Sequence, residues 1–63
     1  QFKLGEIYFE LEQFDLAIDC FEWEMELAPQ ASAPIHYLYQ CYLAKGDKEQ
    51  ANSYKKLMAS IPS

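Results

Sequence analysis

Apolar residues recur along this chain in four runs at helical spacing, separated by short polar or turn-forming segments. Phe2, Leu4, Ile7, Tyr8 and Leu11 keep a helical period until Glu12-Gln13 break it, which predicts a first helix over about residues 2 to 12. Phe14, Ala17, Ile18, Phe21, Met25 and Ala28 form the next stripe, over about 15 to 28. Pro29, which cannot continue a helix, closes it. Ser32 followed by Pro34 reads as an N-cap beside a proline tolerated in a first turn, and Ile35, Leu38, Tyr39, Tyr42 and Leu43 carry a third helix to Lys45-Gly46. Asp47 stands three residues before Gln50 as a capping-box variant and opens a fourth helix, which Tyr54, Leu57, Met58 and Ile61 keep amphipathic to about Ser60. No segment alternates with the period of a strand, so the expected fold is all-α.

The four helices are two copies of one unit. Leu4, Tyr8 and Ala17 return as Leu38, Tyr42 and Ala51, each 34 positions on. Around the first set run Leu4-Gly5, Tyr8, Ala17, Phe21 and Pro29, the L-G-x2-Y, A-x3-F and P elements at the separations of the tetratricopeptide repeat (TPR). The chain resembles that family over its whole length. The second copy keeps Leu38, Tyr42, Gly46 and Ala51 but has Tyr39 where a glycine is usual and Lys55 at the place of Phe21; the first has Gln1 where an aromatic and Glu24 where a small residue is usual. The resemblance implies a right-handed array of two helix-turn-helix units, 1–31 and 32–63, with four antiparallel helices. The shared residues then have packing roles: Ala17 and Ala51 allow close helix approach, Tyr8 and Tyr42 fill the space beside them, and Gly5 is small for the same reason, which outweighs a helix penalty of about 1 kcal/mol.

A chain of 63 residues buries only about 60% of the surface its unfolded form exposes, and repeat arrays generally need three or more units. The chain opens at Gln1, without Met and without a capping residue before Phe2, so it is expected to be part of a longer array. The 34-residue shift turns Ile18, Phe21 and Met25 into Asn52, Lys55 and Ala59, a polar version of the face that meets the next unit. The second unit is therefore expected to be the C-terminal edge.

Charge is divided between the halves. Residues 1 to 31 hold eight acids and one Lys, residues 32 to 63 two acids and four Lys, giving −7 and +2 within the net −5. Asp15, Asp19, Glu22 and Glu26 make an acidic stripe on the second helix, read as a solvated convex face. With no Arg and an acidic balance, a nucleic-acid partner is not expected. No apolar run is long enough to span a bilayer and no charged-then-apolar run in these residues resembles a secretory signal; the fold class and the two cysteines make the cytoplasm the expected compartment.

Candidate chemistry is sparse. His36, Cys20 and Cys41 are the only His and Cys residues, and His36 and Cys41, five apart, stand about 140° round a helix axis, a poor arrangement for zinc or for a thiol-imidazole pair. The glycines lie within a helix and at a turn, not in a phosphate loop. No metal, cofactor or catalysis is expected, and the cysteines read as small, reduced, partly buried side chains.

In the TPR family the first helices of successive units line a concave groove. The resemblance therefore implies that Phe2, Glu6, Phe9 and Glu10 face His36, Tyr37, Gln40 and Leu43 across such a groove. Rings beside carboxylates suit an extended or helical peptide with apolar anchors and a Lys or Arg. TPR domains that grip the acidic C-terminal tails of heat-shock chaperones present Lys, Asn and Arg here. Glu6 stands where such a clamp has an Asn, so chaperone-tail binding is not expected. The function implied is that of a non-catalytic protein-binding scaffold. The competing expectation is a structural spacer or self-association element, with Phe14, Trp23 and Leu27 contributing surplus apolar surface.

Overall fold

A computed structural model of the chain describes residues 2–29 and 31–61. Gln1 and Ser63, the outer bounds expected for the two units, lie outside the described residues. Four helices account for nearly all of the rest: α1 (Phe2–Glu10), α2 (Phe14–Leu27), α3 (Ser32–Lys45) and α4 (Lys48–Ser60), with no strand among the described residues. The fold is all-α.

Helix ends depart from the sequence expectations where backbone geometry outweighs side-chain pattern. α1 stops at Glu10 rather than near residue 12 because Glu12 adopts a left-handed conformation, φ 61°. The Glu12 N–H donates to the Phe9 carbonyl at 3.0 Å and the Gln13 N–H to the Tyr8 carbonyl at 2.8 Å, which closes the last turn. The α3–α4 turn repeats this 34 residues later. Gly46 has φ 83°, its N–H donates to Leu43 at 3.0 Å, and the Asp47 N–H donates to Tyr42 at 2.9 Å. The sequence marks the second turn with a glycine and leaves the first unmarked, since a non-glycine residue rarely tolerates this conformation. Glu12→Gly is expected to raise stability by about 1 kcal/mol, read as a higher urea midpoint; a lower midpoint would mean that unfolded-state entropy dominates.

The Asp47 carboxylate accepts from the Gln50 N–H at 3.2 Å and caps α4, as the sequence predicts. Ser32 does not cap α3. Ala31 holds the N-cap position with an extended backbone, and Ser32 is the first helical residue. Pro34, within the first turn, is buried, so packing fixes this start in place of a side-chain cap. Ala28, expected on the buried stripe, is the exposed C-cap of α2.

Consecutive helices pack as antiparallel neighbours. Phe2 meets Phe21 while Phe9 meets Phe14, which pairs α1 with α2 in opposite directions. Asp15 with Lys45 and Phe21 with Tyr37 pair α2 with α3 likewise. The smallest Cα dimension is 15 Å, the thickness of two helix layers at an interaxial separation of about 8–10 Å. One core cluster, Ala17, Ile18, Phe21, Leu38 and Cys41, lies between α2 and α3, with Tyr8 and Tyr42 both packed half-buried against it. Ala17 and Ala51, equivalent by the 34-residue shift, are both fully buried.

Gly5 marks the tightest approach. A Cβ built there would lie 2.8 and 2.9 Å from the Phe21 ring and 3.2 Å from the Cys20 Cβ. Phe21 is itself enclosed, so the ring has little room to yield. Gly5→Ala therefore sets a helix-propensity gain of about 1 kcal/mol against an overpacking penalty of about 1–3 kcal/mol. The expected result is a net loss of about 1 kcal/mol in urea unfolding; a gain would show that Phe21 can shift without strain.

Candidate functional site

Tyr37 on α3 is the piece around which α1 and α2 converge. Its ring stacks on Phe21 with centroids 4.7 Å apart and takes edge contacts from Phe2 at 5.6 Å and Phe9 at 5.3 Å. The Tyr37 hydroxyl donates to the Glu6 Oε2 at 3.0 Å, across 31 residues of sequence. That bond, with burial and the negative charges of Glu6 and Glu10, holds the phenol pKa above its ordinary value. The side chain is thus anchored at both ends, ring in the core and hydroxyl on a carboxylate.

Two cavities open on either side of this anchor and share Phe9 and Tyr37 as walls. The larger, ≈680 Å³, runs between α3 and the end of α4, with Ala33, Met58 and Ile61 as its other apolar lining and Ser32, His36 and Gln40 as its polar rim. The smaller, ≈300 Å³, lies along α1, where Glu6 and Glu10 stand beside Lys3 and Ile7. The larger is lined mainly by apolar side chains, and the smaller carries two carboxylates against one Lys.

Of the residues expected to line a groove, Glu6, Phe9, Glu10, His36, Tyr37 and Gln40 border one or both of these cavities. Phe2 sits instead among the packed rings, and Leu43, though exposed, borders neither cavity. Met58 and Ile61 were not anticipated there. They belong to the apolar stripe of α4, and only antiparallel packing of α4 on α3 brings that helix's end beside Ser32 and Ala33.

The acidic stripe of α2 is more than a solvated face. Asp15 pairs with Lys45, and the Glu22 Oε2 accepts from the Tyr42 hydroxyl at 3.4 Å. Tyr42 in turn stacks on Tyr54 at 5.6 Å. Asp19 and Glu26 remain exposed. The stripe thus links α2 to α3. Cys20 and Cys41 are free thiols; Cys41 is buried, and burial pushes its thiol up to about 11. Among the described residues no group of three or more His, Cys, Asp or Glu side chains is placed to hold a metal ion, and no helix is long and apolar enough to cross a membrane.

A second feature is apolar surface on α1 and α2. Leu4, Ile7 and Leu11 on and just beyond α1, with Leu16, Trp23 and Leu27 on α2, are exposed large apolar side chains. Helical spacing puts each set on one stripe. Comparison across the 34-residue spacing sharpens the contrast: Leu38 and Cys41 are 0% exposed, whereas Leu4 and Ile7, 34 positions earlier, are 40% and 47% exposed.

No family model, no curated protein and no solved structure matches this chain.

Proposed function

We propose that the chain is a pair of TPR-like units acting as a non-catalytic protein-binding module, which takes a peptide or helix of a partner into the groove between α1, α3 and the end of α4. The observation that carries this reading is a pair of neighbouring cavities that share Phe9 and Tyr37 as walls. The repeat reading is supported by the matched left-handed turns at Glu12 and Gly46 and by the buried Ala17 and Ala51. Two free thiols suit the reducing cytoplasm.

The test is selection of peptides from an unbiased display library on the intact chain. His36→Ala combined with Gln40→Ala changes two rim residues outside the core cluster and is expected to weaken selected peptides about tenfold, with the circular dichroism melt unchanged. Failure to select any peptide, or equal binding to the double variant, would overturn the groove reading.

The exposed apolar face of α1 and α2 favours a second reading, that the module is also an assembly element. Surface apolar patches of this kind mark interaction sites. Self-association here predicts a sedimentation mass that rises with concentration and a Trp23 fluorescence blue shift that follows it. Leu4→Glu with Leu11→Glu should abolish both, and a constant monomer mass would remove this reading.

A further inference from the structure

We infer that the groove is selective for a basic-apolar peptide: an apolar anchor in the cavity between α3 and α4, and next to it a Lys or Arg whose charged end lies between Glu6 and Glu10. This rests on the groove reading and adds to it the chemistry and the order of the ligand.

The α1 end has the features of a cation subsite. Glu6 and Glu10 are one helical turn apart on α1 and border the same cavity. Like charges at this spacing repel, and a bound cation relieves the repulsion. Tyr37 orients Glu6 by donating to its Oε2 at 3.0 Å. A carboxylate offers about four lone-pair sites, so accepting capacity remains for a ligand. Glu10 is exposed and has no hydrogen bond or ion pair among the described residues. Lys3 borders the same cavity as its one basic side chain, leaving two acids against one base.

The shape of the cavity indicates the kind of cation. Phe9, Tyr37 and Ile7 provide an apolar wall beside the carboxylates, which fits the methylene stem of Lys or Arg with its charged head at the acids. Two carboxylates without a third metal-ligating side chain suit an ammonium or guanidinium better than a metal ion. The neighbouring cavity contains no carboxylate or Lys, and Met58 and Ile61 extend its apolar wall. Because the cavities share Phe9 and Tyr37, the anchor and the cation belong to adjacent parts of one segment. An acidic peptide would meet Glu6 and Glu10 with like charge, a repulsive element that rejects it as actively as the wall accepts a basic one.

Peptides selected on the intact chain provide the test. The expected selection has Lys or Arg next to an aliphatic or aromatic residue. Replacing that Lys by Glu in a synthetic copy should weaken binding about tenfold or more, and raising NaCl from about 0.05 to 0.5 M should weaken the Lys form several-fold. Glu6→Gln with Glu10→Gln should erase the difference between Lys and Glu peptides while the apolar anchor still binds, and Glu10→Lys should favour the Glu peptide. Tyr37→Phe keeps the ring but frees Glu6, so it should reduce the Lys preference about threefold and leave the anchor's contribution intact. Selected peptides that are neutral or acidic at this position, or whose charge preference survives both glutamine substitutions, would overturn the inference and leave the groove reading standing. If no peptide is selected, or binding ignores His36 and Gln40 as well as Glu6 and Glu10, both fall.

Discussion

Phe21→Ala is expected to leave the chain largely unfolded at 25 °C. Phe21 is 0% exposed, stacks on Tyr37 at 4.7 Å, meets the Phe2 ring at 5.5 Å and lies against the backbone at Gly5. Removing a buried phenyl ring from a packed core costs about 3–5 kcal/mol, and the lost ring pairs add about 0.5–1.5 kcal/mol each. At about 0.05–0.15 kcal/mol per residue, 63 residues have a total stability of about 3–9 kcal/mol, so a single substitution consumes most of it. Leu11→Ala is the control. Leu11 is 63% exposed and should change stability by no more than about 0.5 kcal/mol. Far-ultraviolet circular dichroism with urea titration separates the two; a cooperative Phe21→Ala transition within about 1 kcal/mol of the parent would show that the stack is not the centre of the fold.

Alkaline pH is expected to unfold the protein by a different route. Burial pushes the Cys41 thiol from 9.0 up to about 11, and burial with the charge of Glu22 pushes Tyr54 from 10.0 up to about 12. Tyr42 is raised by burial and Glu22, Tyr37 by its hydrogen bond to Glu6. In each case the folded state disfavours the anion, so the unfolded chain loses its proton first and binds fewer protons in that pH range. Stability must therefore fall as pH rises. The contribution of Cys41 is complete below pH 9.0 and disappears as pH approaches about 11; that of Tyr54 disappears from 10.0 to about 12. Two shifts of this size correspond to about 2–3 kcal/mol each, comparable with the whole stability of so small a domain. Urea midpoints measured between about pH 8.5 and 11.5 should decline steeply. Cys41→Ala lowers the midpoint at every pH by opening space in the core, yet it should flatten the first part of the decline. A midpoint independent of pH over this range would contradict the assigned burial of both groups.

The groove was partly legible in advance because its lining comes from two helices whose faces follow directly from periodicity. Glu6, Phe9 and Glu10 share one face of α1, while His36, Tyr37 and Gln40 share one face of α3, so locating the helices was enough to nominate them. Phe2 misled because its helix position points toward the groove while its ring is drawn into the stack with Phe21 and Tyr37. Leu43 is exposed and borders neither cavity. Met58 and Ile61 needed the packing direction of α4, which periodicity within one helix does not contain.

Local pattern determined the number of helices, the turn at Gly46, the Asp47 cap and the 34-residue equivalence, because each depends on residues within a few positions or on direct comparison of one run with another. Tertiary structure alone decided that Glu12 adopts the conformation found at Gly46, 34 positions on, that Ala31 rather than Ser32 holds the N-cap position of α3, and that Glu22 and Asp15 reach across to Tyr42 and Lys45. It also decided that Leu4 and Ile7 are open where Leu38 and Cys41 are closed. The reason is the same throughout. Chemically similar positions acquire different environments from whichever helix lies beside them, and α2 covers α3 while no described helix covers the outer face of α1.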